Sequence, residues 1–376
     1  MEENKFFKNV WFIIISSSGG LLLSLAGLSI GWMVGTLLMA AFLSFRRPAL
    51  LKLSADGKGI PQYWLRIGQC ILAIELGRKM NLSVLHIFQE NWMTIMIILL
   101  LSIIFSVFSG FVLWKSGGTD MLTSFFGTAP GGLSAMPGIA EEVGANTAVV
   151  TIIQTMRVFL VVFTVPIIIS SWIAHPADHT NIYVPVGIAH FEISQVLWTA
   201  ALGLAVWGGY YIGRFLRLPA PWLVGGMISV AIVQTLISSH IGYDLMIWWP
   251  HSVIVLSQVF IAASIGSHFH KNMLIGLRKT IVVALFSTFG LISIMFACAF
   301  FVSKVTGISF VTASLAFAPG GIAEMATMAV VLHADSTFVV AVQVLRILVV
   351  CILLPPFFRL LNHWKKKKDT YSQVSA

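Results

Sequence analysis

Arg157 and Arg346 are each embedded about ten residues into a long apolar stretch. At the centre of a bilayer an arginine costs about 2.5–3.5 kcal/mol on insertion scales, so each must face protein or water and have a partner. Gln154 and Gln343 precede them by three residues, which puts amide and guanidinium on one helical face. Such a face can hold an anion by charge-assisted hydrogen bonds. It can equally neutralise a carboxylate or cap the free carbonyls of a broken segment. The candidate carboxylates are Glu75, Glu141, Glu142 and Glu324. Glu324 stands in an otherwise apolar run, where a carboxyl could carry a proton. With Glu141 it is the candidate for ion coupling, and an ion pair with Arg346 is the competing reading.

What must position these groups is a tetrapeptide that occurs twice. Ala129-Pro130-Gly131-Gly132 returns 189 positions later as Ala318-Pro319-Gly320-Gly321. Proline removes a donor and clashes with the preceding turn, and each glycine costs about 1 kcal/mol against alanine, so both runs break a helix inside an apolar region. Glu324 follows the second motif by three residues, and its counterpart is Ala135. Freed amides, carbonyls and half-helix ends at such breaks line the solute and ion sites of secondary transporters. Glycines can also serve only close helix packing. All eight motif residues are candidates for lining a binding site, together with Gln154, Arg157, Gln343 and Arg346.

At the same offset, Lys115/Lys304, Gly118/Gly307, Thr123/Thr312, Met136/Met325, Gln154/Gln343, Arg157/Arg346 and Pro166/Pro355 are identical, as are Gln69/Gln258. Shared polar residues in an ungapped match signal an internal duplication. Helices are expected over 10–28, 31–45, 60–76, 92–114 and 147–173, and again over 194–215, 222–237, 249–266, 280–302 and 337–358. The broken segments cover 119–144 and 309–333. Asn146 and Asp335 precede the two long helices and read as N-caps. Pro166 and Pro355 are expected to kink those helices or mark their last turns.

The chain is 58% hydrophobic and 10% charged, where a soluble domain carries about 25% charge. It reads as an all-α polytopic membrane protein with two inverted repeats. Each has about five spans plus a broken or re-entrant segment. The first repeat covers 1–174, an extracytoplasmic linker 175–193, the second repeat 194–361 and a basic cytoplasmic tail 362–376. The N-terminal apolar stretch is taken as a retained span. Lysines and arginines between spans place both termini in the cytoplasm of a plasma-membrane protein, with Arg78, Lys79 and Lys304 dissenting. The net charge of +9 suits anionic lipid headgroups better than nucleic acid. Cys70, Cys298 and Cys351 show no disulfide or zinc spacing. His175, Asp178 and His179, and His268 with His270, lack a third intramembrane ligand, so no metal and no cofactor is expected.

The paired APGG segments, each with a downstream Gln-x-x-Arg, resemble the AbrB-type membrane duplication family. So do Pro219–Gly225 and its partial echo Trp32-x-x-Gly35. Members of that family are often named AbrB family regulators or ammonia monooxygenases. The resemblance covers nearly the whole chain. It implies a distant likeness to the cation/proton antiporter and anion transporter superfamily, with inverted repeats and crossed broken helices. The first repeat lacks counterparts of Pro219 and Pro221.

These readings lead to a non-enzymatic secondary transporter of a small anionic or zwitterionic solute. A membrane sensor affecting gene expression is the alternative, and a membrane-bound monooxygenase a third. The expected partners are the bilayer and a small-molecule or ion ligand, with a homodimer as one option for assembly.

Overall fold

The computed structural model describes residues 2–28, 30–46, 59–80, 83–130, 136, 140–141, 144–173, 193–241, 247–269, 277–350 and 352–353. Within them the chain is helical. The first half contains α1 (Glu2–Leu25), α2 (Gly31–Arg46), α3 (Tyr63–Arg78), α4 (Ser83–Gly117), α5 (Met121–Thr128) and α6 (Thr147–Ile173). The second contains α7 (Ile193–Phe215), α8 (Pro221–Ile241), α9 (His251–Gly266), α10 (Arg278–Thr306), α11 (Phe310–Phe317), α12 (Ile322–Val331) and α13 (Ser336–Val350). Among the described residues six helices are long and apolar enough to cross a membrane, within α1, α4, α6, α7, α8 and α10. This is a multi-pass membrane protein.

The expected helices are present, with ends displaced by a few residues. α4 begins at Ser83, well before the expected start at 92, and α1 reaches back to Glu2. Pro166 lies inside α6, while Pro355, the linker over 175–192 and the tail over 362–376 fall outside the described residues. Gly118 and Gly307 follow α4 and α10 with φ of 75° and 73°. Only glycine adopts that left-handed backbone without strain, which is how these long helices stop and reverse.

Glycines also set the closest helix contacts. Gly19 and Gly20 of α1 lie against Gly35 and Thr36 of α2, and Gly209 of α7 lies against Gly225 of α8. α3 and α9 cross near Gly68, whose carbonyl accepts from Ser257 Oγ at 2.8 Å. Along the same pair, Ile60 N donates to Ser267 Oγ at 3.0 Å, and Trp64 meets Phe260 at 5.1 Å between ring centroids. Rising numbers on α3 meet falling numbers on α9, so the two run antiparallel. α4 and α10 do the same. Ser109 Oγ is 2.7 Å from Ser287 Oγ, and Thr280 Oγ1 donates to the Gly117 carbonyl at 2.8 Å. Behind these crossings the largest apolar core gathers residues of α2, α3, α4 and α6 through α13.

Candidate functional site

Proline at the second position of each motif ends a short helix. The last four carbonyls of any helix lack intrahelical donors, and inside a membrane no water can replace them. The long helix that follows supplies the donors. In the first half, Gln154 Nε2 donates to Phe126 O at 2.8 Å. Arg157 Nη1 donates to Thr128 O at 2.8 Å and to Ala129 O at 3.0 Å. Ser106 Oγ on α4 reaches the same Thr128 carbonyl at 2.6 Å.

The second half repeats the arrangement at the offset of the sequence. Gln343 Nε2 donates to Leu315 O at 2.9 Å and to Ala318 O at 3.1 Å. Arg346 Nη1 donates to Ala318 O at 2.6 Å, and Nη2 to Gly320 O at 2.9 Å. Each cation therefore sits at the negative end of a half-helix dipole, where positive charge is favourable. The capping role left open by the sequence is present in both halves.

The start of each broken segment is matched as well. Asp120 Oδ2 accepts from Thr123 N, and Ser309 Oγ from Thr312 N. Thr123 Oγ1 then accepts from Asn146 N at 2.8 Å, and Thr312 Oγ1 from Asp335 N at 3.1 Å. Asn146 and Asp335 cap the following helices through Val149 N and Phe338 N, as N-caps should. The threonines thus tie the entry of each broken segment to its exit. Their identity at matching positions was visible in the sequence, but their role was not.

Gln154, Arg157, Gln343 and Arg346 are all buried, none more than 3% exposed. The two guanidiniums are close enough to act on each other electrostatically. Among the described residues no carboxylate pairs with either of them; the ion pairs are those of Glu75 with Arg78 and Lys79. Glu324 is buried in the first turn of α12, where a negative charge complements the helix dipole. A Cβ on Gly321 would collide with its carboxylate. The ion pair between Glu324 and Arg346 is absent. Glu141 is exposed. Pro130 is buried, and Gly131, Gly132 and Glu142 lie outside the described residues. Among the described residues no three His, Cys, Asp or Glu side chains gather as a metal site. His175, Asp178, His179 and His270 lie outside those residues.

A family model described as "Transition state regulatory protein AbrB" matches residues 13–362. The chain is 50% identical over 379 residues to "Uncharacterized protein YhjN" of Bacillus subtilis (strain 168), covering 100% of this chain and 99% of that protein. It is 26% identical over 344 residues to "Putative regulator AbrB" of Escherichia coli (strain K12), covering 89% of this chain and 96% of that protein. The match runs through both breaks and both Gln-x-x-Arg faces, and the chain belongs to the AbrB family.

Proposed function

We propose that this protein is a secondary transporter of a small anionic or zwitterionic solute, working in the plasma membrane with both termini in the cytoplasm, and not an enzyme. One observation carries the reading. Two buried guanidiniums face the two chain breaks, and among the described residues neither is neutralised by a carboxylate. Buried charge without a counter-ion is costly, and an anionic solute would supply what is missing.

The architecture we propose is a pair of inverted repeats. Its support is the antiparallel packing of α3 on α9 and of α4 on α10, each a helix against its own counterpart. A two-fold axis relating antiparallel neighbours runs perpendicular to them, hence in the membrane plane. The two breaks then enter from opposite faces and meet near the middle, the arrangement secondary transporters use for solute and ion. Glu324 is the proposed coupling group. The regulator in the family's description and in the Escherichia coli relative's name supports a second reading, a sensor that binds at the same place without moving solute.

Proteoliposomes loaded with purified protein test the proposal against a panel of small organic anions under imposed proton or sodium gradients. Gradient-driven accumulation above protein-free vesicles is the expected result. Glu324→Gln should keep binding and lose the gradient dependence. Binding without accumulation, across the panel, would replace the transporter with the sensor.

A further inference from the structure

The two Gln-x-x-Arg faces share their glutamine and arginine and differ in structure. In the second half the face is closed on itself: Arg346 Nη2 donates to Gln343 Oε1 at 2.6 Å. In the first half that internal bond is not made. Gln154 Oε1 is buried with no hydrogen-bond partner, and so is Arg157 Nε. Because Gln154 Nε2 already donates to the Phe126 carbonyl, the assignment of its amide is fixed, and the open atom is an acceptor.

Arg346 Nε is also unpartnered, but its glutamine acceptor is occupied. Only the first face leaves both a cationic donor and a neutral acceptor open, three residues apart on one helix. Buried polar atoms are rarely left so, since each costs roughly 1–3 kcal/mol, and an open pair of opposite kind is the imprint of a ligand with the complementary pair.

The two halves also differ directly behind the motif. Glu324 places a carboxylate at the start of α12 behind the second break. The sequence has Ala135 at the corresponding place behind the first. Three residues past the motif the second half therefore carries an acid and the first does not, while the acids of the first broken segment, Asp120, Glu141 and Glu142, stand further from its motif.

We infer that the solute is held at Arg157 and Gln154, that Gln343 and Arg346 form a fixed clamp, and that the solute belongs to a definite class. It carries an anionic oxygen for Arg157 Nε–H and, on the neighbouring atom, a hydroxyl or ammonium donor for Gln154 Oε1. α-Hydroxy and α-amino carboxylates have this shape, and simple carboxylates lack the donor. The inference rests on the transporter reading and narrows it.

The test compares lactate and alanine with propionate, measuring competition for uptake and ligand-induced thermal stabilisation of the purified protein. One of the two donor-bearing acids should bind at least about tenfold more tightly than propionate, the worth of one good buried hydrogen bond. Gln154→Met should abolish that preference. Gln343→Met removes the equivalent bond to Leu315 O together with those to Ala318 O and from Arg346, so it controls for structural damage, and it should lower thermal stability while leaving the preference intact. Equal binding of all three acids by the unmodified protein would overturn the inference, because the open atoms would then hold only water. A preference lost in Gln343→Met and kept in Gln154→Met would overturn it too. Binding of none of the three, with uptake of other anions intact, sinks this class of solute alone. The transporter reading falls separately, if no anion is accumulated at all.

Discussion

Among the described residues Arg346 makes three hydrogen bonds and Arg157 two, and four of those five go to backbone carbonyls at a helix break. Their charge was legible in the sequence, as was the need for a partner. The carbonyls of the broken segment were one of the partners left open there, and the choice among them was not legible, because a carbonyl belongs to every residue type and leaves no mark at the position that offers it. The same applies to Gly321. Its sequence signature is that of a turn, yet a Cβ there would strike the Glu324 carboxylate three residues on. Gly320 is more forgiving, since its nearest neighbour is the flexible end of Met325. Gly321→Ala should therefore lower the melting temperature and impair transport, and Gly320→Ala should do so less. In an Glu324→Ala background the cost of Gly321→Ala should largely vanish, because groups in contact are not additive. A double-mutant cycle on detergent-solubilised protein reads this directly. Equal costs in both backgrounds would mean that Gly321 is needed for its backbone alone.

At the scale of elements, helix existence was well marked. Long apolar runs ended by glycine, proline or charge gave nearly every helix, and α6 has the expected bounds at both ends. Helix partnership was much harder to read. Gly68 and Ser257 occupy corresponding positions in the two halves and touch each other, but glycine and serine do not look alike, so the repeat could not expose the contact. The crossing depends on the absence of a side chain. A Cβ on Gly68 would come within 2.9 Å of the Ile261 side chain and 3.2 Å of the Ser257 carbonyl. Gly203 of α7 has nothing within 4 Å of the same construction. Gly68→Leu should cost about 1–3 kcal/mol, as overpacking of a tight contact does, while Gly203→Leu should be near neutral. Thermal unfolding in detergent distinguishes them, and equal melting temperatures would remove α3–α9 packing as a support of the fold.

At the scale of the whole molecule, positive charge between spans decided the orientation proposed from sequence, and Arg78, Lys79 and Lys304 opposed it. The structure gives the first two a local reason to be where they are. Arg78 and Lys79 both bind Glu75, whose carboxylate is buried, at 2.9 Å and 2.6 Å. Their position therefore answers to an ion pair as well as to the membrane potential and lipid charge that bias loop lysines and arginines. Lys304 lies over the Phe300 ring, just as its counterpart Lys115 lies over Phe111, so the duplication itself accounts for its presence at that helix end. Contacts between halves agree with the remaining charges. Gly59 and Ile60 adjoin Ser267, and Gly117 adjoins Thr280. These contacts bring the exit of α4, with Lys115, to the entry of α10, with Arg278 and Lys279. Inverted repeats make a sharp demand on corresponding positions, namely that they face opposite sides of the membrane. Ser116 and Val305 are such a pair, both exposed near the ends of α4 and α10. In a background with Cys70, Cys298 and Cys351 replaced by serine, Val305→Cys should react with a membrane-impermeant maleimide in intact cells. Ser116→Cys should react only after permeabilisation. Labelling of both from one side would make the repeats parallel. The two breaks would then enter from the same face, and the midplane site that joins Arg157 to Arg346 could not form by symmetry.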